Sequence, residues 1–482
     1  MHFNLIFRFV GILIFFLGIS MFAPLVASII YDDGAFLGIL YSLLVASGMG
    51  VLLMVGTKKD PESHLNHRDG VAVVTFGWIA AGLVGAIPFL FTGSISGLTN
   101  AYFEAMSGFT TTGATILKDI EWLPNSIILW RSITQWFGGM GIIVLSIAIL
   151  PFLGVGGMQL YKAEVPSPVV DKLKPRISDT AKVLWKVYLF ITALEIVLLF
   201  IGGMSLFDAI NHAFCTMPTG GFSPKNGSIA YYNNAYFDGV IIIFMLMAGI
   251  NFSLHYKLIK GDFSIFGKDP ECRFFLIIVS VFIIIVTSNI YGIVYDSLAT
   301  AFRFAAFQVV SIITTTGFAT ADYEGWPVLS QSLLIVCMFL GSMAGSTGGG
   351  IKTLRVILLI KHSYKEIFRI IHPHAITTIK MGGRAVPAEI LSSIWGFFIL
   401  YLILFVISSL IMASVGLDMV SSFTSVAACI FNVGPGFGIV GPVDNYQAIP
   451  FIGKWVLIFC MLLGRLEIYT VIVLLMPEYW RK

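Results

Sequence analysis

Long apolar runs broken by short polar punctuation dominate the chain. Two come first, at about 3–30 and 36–56, joined by the acidic turn Asp32-Asp33-Gly34. After the polar segment Lys58–Asp69 a unit begins that recurs four times. Each unit has an apolar run, a shorter half-apolar segment, a Gly-containing tetrapeptide and a second apolar run. The paired long runs lie near 71–93 and 126–150, 183–203 and 235–256, 274–295 and from about 327 onward, and 388–415 and 450–476. The intervening segments, at 98–110, 206–216, 300–313 and 418–431, fall well short of the ~20 residues a helix needs to cross a bilayer, so they are predicted to enter and leave on one side. Barrel strands alternate over about ten residues, and these runs do not. The expected fold is an all-α polytopic membrane protein. It has two extra N-terminal transmembrane helices (1–57) and four fused membrane-pore-membrane repeats around a central ion pore: 70–151, 182–258, 273–370 and 386–482. Two plus eight runs predict ten crossings.

The tetrapeptides carry the repeat. Phe109-Thr110-Thr111-Thr112-Gly113 returns as Ile313-Thr314-Thr315-Thr316-Gly317, more weakly as Met217-Pro218-Thr219-Gly220 (with Gly221 beyond it), and in degenerate form as Phe431-Asn432-Val433-Gly434. Counting back nine residues from each glycine gives Glu104, Asn211, Gln308 and Ser425, polar every time in an apolar neighbourhood. A single such motif reads as an ordinary helix end. Four, each after a helix too short to span, read as four walls of one structure. A short helix aimed inward places its negative end near a cation. A glycine lets the following backbone turn its carbonyls toward the ion, and irregular backbone at membrane depth is tolerated where it lines a wet cavity. No Asp or Glu lies in any of the four tetrapeptides, which favours a monovalent cation over a divalent one.

Composition sharpens this. Hydrophobic residues are 57% of the 482 and charged residues 11%, against about a quarter charged in soluble domains. The net charge of +3 matters less than its placement. Of 29 Lys and Arg, all but Lys118, Arg131, Lys225, Arg303, Lys454 and Arg465 fall near the termini or in four segments: Lys58–Arg68, Lys162–Lys186, Lys257–Arg273 and Lys352–Arg384. The positive-inside rule puts those segments and both termini in the cytoplasm. The first apolar run is too long for a cleaved signal core and reads as a retained span. Cys215, Cys272, Cys337, Cys429 and Cys460 are scattered and read as small buried apolar residues.

Two features look like a gate. Gly341-Ser342-Met343-Ala344 and Gly345-Ser346-Thr347-Gly348-Gly349-Gly350 interrupt the second run of unit three. Five glycines in ten residues cannot hold a helix at roughly 1 kcal/mol each. Arg465 lies midway along the last run, where an arginine must face protein or water. It reads as a positive plug, or else as half of an ion pair with an acid such as Glu104 or Glu195.

Phe109–Ala114, Met217–Ser223, Thr314–Thr320 and Asn432–Gly438 together resemble the TrkH/KtrB/HKT superfamily of K+ transporters, and the resemblance covers the whole chain. The two extra N-terminal spans are similar to the TrkH branch. The resemblance implies a K+ selectivity filter at residues 110–113, 218–221, 314–317 and 432–434, an intramembrane gating loop at 345–350 and an arginine plug at Arg465. It implies K+ uptake through a bacterial inner membrane by a channel-like pore, a homodimer in membrane lipid, and a cytoplasmic TrkA-like subunit that binds NAD and ATP. The chain itself is expected to hold K+ as cargo and no organic cofactor. Pro218 and Val433 depart from the pattern, which points to moderate K+ over Na+ discrimination.

The competing class is a Na+- or H+-coupled symporter, which would not need four filter copies. An enzyme is not expected, because no catalytic Ser motif, HExxH or paired acids stand out. Gly436–Gly441 fits GxGxxG without a preceding strand, and Gly345–Thr353 misses a phosphate loop by one residue. His372-Pro373-His374 reads as a solvated loop, and nucleic acid is not an expected partner.

Overall fold

A computed structural model describes residues 1–57, 66–148, 177–375 and 377–481. The basic segment 58–65, most of Lys162–Lys186 and the end of the expected run 126–150 lie outside the described residues. The fold is all-α and polytopic, and among the described residues the one sheet is a two-stranded hairpin pairing Lys380–Met381 with Arg384–Ala385.

Helices Phe3–Ser20, Phe22–Tyr31 and Phe36–Gly56 form the N-terminal pair. They touch where side chains vanish: a Cβ on Gly18 would collide with Ser47, and one on Gly50 with Phe15. Unit one follows as His67–Phe91, Leu98–Phe109 and Asn125–Ala148. Unit two is Ile177–Ile201, Leu206–Thr216 and Ala235–Gly249. Unit three is Pro270–Ile290, Leu298–Ile313, Val328–Phe339 and, after a loop, Thr353–Ile371. Unit four is Ala388–Ser414, Met419–Ile430 and Phe451–Arg465.

Among the described residues six helices are long and apolar enough to cross a membrane, or eight if each of two bent pairs is one span. The two further expected crossings correspond to Asn125–Ala148 and to Val328–Phe339, which ends at the glycine-rich loop. The bends are departures from the continuous runs expected at 235–256 and 450–476. Ala235–Gly249 turns through 107° into Phe252–Ile259, and Phe451–Arg465 turns through 114° into Tyr469–Leu475. Asn251 starts the second piece of the former by accepting from Ser253 N. In the latter, Glu467 and Ile468 both hold positive φ, which no regular helix allows.

The core is inverted relative to a soluble protein. The long helices expose Phe16, Leu52, Ile201, Ile284 and Leu410 outward, as lipid contact requires. The short helices are buried toward their C-terminal ends, which lead into the tetrads; in unit one this covers every residue from Ala101 to Phe109, Glu104 and Ser107 included. Their lengths of 12, 11, 16 and 12 residues correspond to about 16–24 Å, against a hydrocarbon core of ~30 Å. All five cysteines are buried and free.

Candidate functional site: four converging tetrads

Each short helix ends in the same backbone gesture. The second residue of each tetrad holds positive φ (Thr111 52°, Thr219 57°, Thr315 60°, Asn432 55°), and so does the fourth (Gly113 82°, Gly221 75°, Gly317 82°, Gly434 97°). The third residue donates its N–H five residues back: Thr112 to Ser107 O, Gly220 to Cys215 O, Thr316 to Ser311 O and Val433 to Ala428 O, all at 2.8–2.9 Å. Two alternating left-handed residues turn the chain away from the helix axis into an extended exit.

This geometry corrects the register of unit two. The sequence spacing aligns Gly220 with Gly113, whereas the backbone aligns Gly221. The tetrads are therefore 110–113, 218–221, 314–317 and 431–434. The polar residue nine places back in unit two becomes His212 instead of Asn211.

The four glycines close a ring. A Cβ on Gly113 would strike the Gly220 carbonyl, on Gly221 that of Thr316, on Gly317 that of Val433, and on Gly434 that of Thr112. Each wall thus abuts the carbonyl layer of the next, and the fourth returns to the first.

The outer loops repeat the cycle. Asn226 of unit two accepts from Ile120 N at 2.7 Å and donates to Asp119 at 2.9 Å in unit one. Ala230 N donates to Ala319 O at 3.1 Å. Glu324 accepts from Gly438 N at 2.5 Å, and Tyr446 N donates to Thr115 O at 2.8 Å.

The side chains at the first and third positions brace the walls from behind. Thr110 and Thr112 share a 2.8 Å hydroxyl bond, Thr314 and Thr316 another, and Thr110 and Thr314 each donate to a helix carbonyl at 2.7 Å. Pro218, Gly220, Phe431 and Val433 occupy these bracing places in units two and four, and other residues stand in for the missing hydroxyls. Gln135 donates to Gly220 O at 2.6 Å and accepts from Phe222 N at 3.1 Å. Asn432 donates to Thr112 Oγ1 at 2.9 Å and to Met461 O at 3.1 Å.

Behind the exits, buried Glu104 accepts from Ile116 N at 3.0 Å and from Arg131 Nε at 2.9 Å. With its carboxamide turned to match its neighbours, Gln308 accepts from Thr320 N at 2.7 Å and Ala321 N at 3.1 Å. Glu104 and Gln308 thus do one job in two units.

The glycine-rich loop lies directly against the tetrads. Its roots pair side by side: Gly341 N donates to Ile351 O at 2.9 Å and Thr353 N to Ser342 O at 3.1 Å. Its interior reaches three walls. Thr347 Oγ1 donates to Met217 O at 2.9 Å, Gly349 N donates to Thr315 Oγ1 at 2.7 Å, and a Cβ on Gly349 would strike Phe431 O. Lys352 Nζ folds back to donate to Gly348 O. The loop also fills the break in unit two, since Thr347 N and Met343 N donate to the carbonyls of Ala248 and Gly249.

Arg465 is buried beneath this loop. Nη1 donates to Thr347 O at 2.8 Å and Nη2 to Gly138 O at 2.9 Å, while Nε has no partner among the described residues. Neither acid considered from sequence bonds it: Glu104 pairs with Arg131, and both carboxylate oxygens of buried Glu195 have no hydrogen-bond partner among the described residues.

A family model described as "TrkH: Cation transport protein" matches residues 42–482. The chain belongs to the TrkH family. The Trk system potassium uptake protein TrkH of Salmonella typhimurium is 43% identical over 486 residues, covering 100% of each chain. The Escherichia coli K12 TrkH is equally similar, and the E. coli K12 protein TrkG is 37% identical over 484 residues, covering 100% of this chain and 99% of its own. The crystal structure of the potassium transporter TrkH from Vibrio parahaemolyticus superimposes with a TM-score of 0.91 at 38% identity, over 100% of both chains. This is a transporter family, and its TrkH members are named for potassium uptake.

Within this TrkH-family chain, Gln135 and Glu271 are the site residues that sequence reasoning missed. Gln135 lies inside the run 126–150 and Glu271 just before the run 274–295, and the available signal was only that burial there demands a partner. The GxGxxG at 436–441 lies in a loop with a short turn at Gly438–Val440, not after a strand. Among the described residues no group of three metal-ligating side chains is present.

Proposed function

We propose that this chain is the membrane pore of a potassium uptake system. K+ passes down its gradient between the four tetrads, exchanging its water for backbone carbonyls that carry no net charge. The observation that carries this reading is the closed cycle of glycine-to-carbonyl approaches, 113 to 220, 221 to 316, 317 to 433 and 434 to 112. Those approaches bring four carbonyl-bearing walls to one axis and leave no room for a side chain there. The names of the full-length relatives supply the ion.

The loop at 345–350 is the gate and Arg465 its positive plug. A guanidinium facing a cation path raises the barrier, and its two bonds to Thr347 and Gly138 hold the loop in place. Selectivity for K+ over Na+ is moderate. The departures at Pro218, Gly220, Phe431 and Val433 remove bracing hydroxyls while leaving the carbonyls in place, which loosens two of the four walls.

The protein works as a homodimer in the bacterial inner membrane with both termini cytoplasmic. There the basic segments, Lys352–Arg384 foremost, meet a TrkA-like regulatory subunit that binds NAD or ATP. The chain holds no organic cofactor of its own.

The test is tracer flux in liposomes. Rb+ uptake faster than Na+ uptake, without a co-substrate and raised by the soluble partner, is the expected result. Strict dependence of Rb+ entry on a Na+ or H+ gradient would overturn the passive pore in favour of a symporter.

A further inference from the structure

Glu271 is the second residue of Pro270–Ile290 and is buried. A single carboxylate oxygen, Oε1, accepts two backbone N–H groups: Ala344 N at 2.8 Å and Leu354 N at 3.1 Å. Ala344 stands at the entry to the glycine-rich interior. Leu354 stands in the first turn of Thr353–Ile371, whose N-cap Lys352 makes no side-chain cap bond. Glu271 therefore does what a capping residue would do for this 19-residue helix, from a different helix, and a carboxylate at that end is favoured by the helix dipole. The same oxygen ties the helix to the loop.

The mechanical consequence follows from what lies at each end. Thr353–Ile371 runs outward from the bundle and exposes Ile360, Tyr364, Ile367, Ile370 and Ile371. The loop interior is held against the tetrads by Thr347, Gly349 and Arg465. Between the two, Gly341, Thr353 and Val356 line a small apolar crevice with Phe275, Ile278 and Ile313, so the roots have space on that side. Displacing the helix along its axis must break the Leu354 bond, and the oxygen that loses it is the one holding Ala344.

We propose that Glu271 is the positioning residue that couples the cytoplasmic helix to the loop, so that the loop leaves the tetrads only as the helix withdraws from Glu271. This rests on the loop being the gate. Because one oxygen makes both bonds, acceptor geometry matters here, not charge alone.

The experiment measures partner-free Rb+ uptake into liposomes for the unmodified chain, Glu271→Ala, Glu271→Asp, Glu271→Gln and a chain lacking residues 345–350. Glu271→Ala and Glu271→Asp, which lose or cannot span both bonds, are expected to raise uptake about tenfold, the weight of one buried backbone donor left without its acceptor on a closed-to-open ratio. Glu271→Gln, whose carboxamide oxygen still accepts both, is expected to stay within about twofold of the unmodified chain. Glu271→Asp carries the reading if Glu271→Ala does not fold. In either opened variant a Ser346→Cys thiol should react faster with a cytoplasmic-side reagent. Fast uptake by the loop-deleted chain with unmodified rates in Glu271→Ala and Glu271→Asp overturns the coupling and leaves the gate standing. Glu271→Gln as fast as Glu271→Ala also overturns it. A loop-deleted chain no faster than the unmodified one overturns the gate itself, and the coupling with it.

Discussion

The carboxamide of Asn432 donates to the hydroxyl of Thr112 at 2.9 Å, joining the last wall of the ring to the first. Residues 320 apart in sequence meet here. The same nitrogen donates to Met461 O at 3.1 Å. No other tetrad carries an amide at this place; the other three have Thr111, Thr219 and Thr315. Asn432→Leu removes both bonds and leaves Thr112 and Met461 short of a donor, costing about 1–3 kcal/mol at the seam. The expected result is a K+/Na+ permeability ratio several-fold lower with little change in total flux. A bi-ionic tracer measurement checks it.

Gly113 holds φ of 82° and faces the Gly220 carbonyl too closely for any Cβ. Gly113→Ser must therefore strain the backbone or push the neighbouring wall outward, at about 1–3 kcal/mol. Rb+ uptake is expected to fall at least about tenfold, the equivalent of ~1.4 kcal/mol, in protein that still elutes as a single species. Flux and selectivity that survive the change would reduce this stretch to a turn. Gly18 supplies a comparison outside the ring: its Cβ would collide with Ser47 in the N-terminal helices, so Gly18→Ala should cost stability and leave selectivity intact.

Much of this was legible before any coordinates, for identifiable reasons. Helices too short to span, followed by Thr and Gly, mark re-entrant elements because length and backbone freedom are local properties. The register of unit two was not, since Gly220 and Gly221 are both glycines and only the φ of 75° at the second one decides. The glycine-rich loop announced itself by composition, whereas its anchor did not. Glu271 sits in the mixed-charge stretch Lys268-Asp269-Pro270-Glu271-Cys272-Arg273, where an acid looks like ordinary surface charge, and its two partners are backbone groups with no sequence signature. Arg465 was conspicuous as a plug or else as half of an ion pair, but no sequence feature named its partners. It bonds two carbonyls that are free only because the loop and the neighbouring helix present them.

Arg465→Ala deletes two charge-assisted bonds and the positive charge below the tetrads. Uptake of Rb+ in partner-free liposomes is expected to rise at least about tenfold, since even one such bond is worth about 1.5–3 kcal/mol. Arg465→Lys should fall between, because a lysine keeps the charge but lacks the planar fork that reaches both carbonyls. An unchanged rate in folded Arg465→Ala protein would count against the plug.

Glu104 and Arg131 form an ion pair at 2.9 Å with both side chains buried. The pair also orders the exit from the first tetrad through Ile116 N and Thr115 Oγ1. Removing one partner leaves the other charge uncompensated, at about 3–5 kcal/mol. Arg131→Met is therefore expected to lower the thermal midpoint sharply. Glu104→Gln with Arg131→Met together should recover part of the loss, because the double change leaves no buried ion. A double-mutant cycle on thermal stability gives the coupling.

Asp33, in the turn between the two N-terminal helices, fastens that hairpin to unit one. It accepts from Ser28 Oγ at 2.5 Å, Ala35 N at 3.1 Å and Ser126 N at 2.9 Å. Partial burial works to raise its pKa, but the bonds from Ser28, Ser126 and Ala35 outweigh it and hold the carboxyl below its ordinary value of 3.8. A depressed folded value means that the unfolded chain takes up the proton first as pH falls. Its contribution is therefore complete above the ordinary value and fades as the pH drops through the lower, folded one. Asp33→Asn should cost on the order of 1 kcal/mol at pH 7, because the turn is half-exposed and solvent screens the charge. The gap in thermal midpoint between Asp33→Asn and the unmodified chain should narrow steadily from pH 5 to about pH 3. A gap that stayed constant over that range would show that the carboxylate charge takes no part in docking the hairpin.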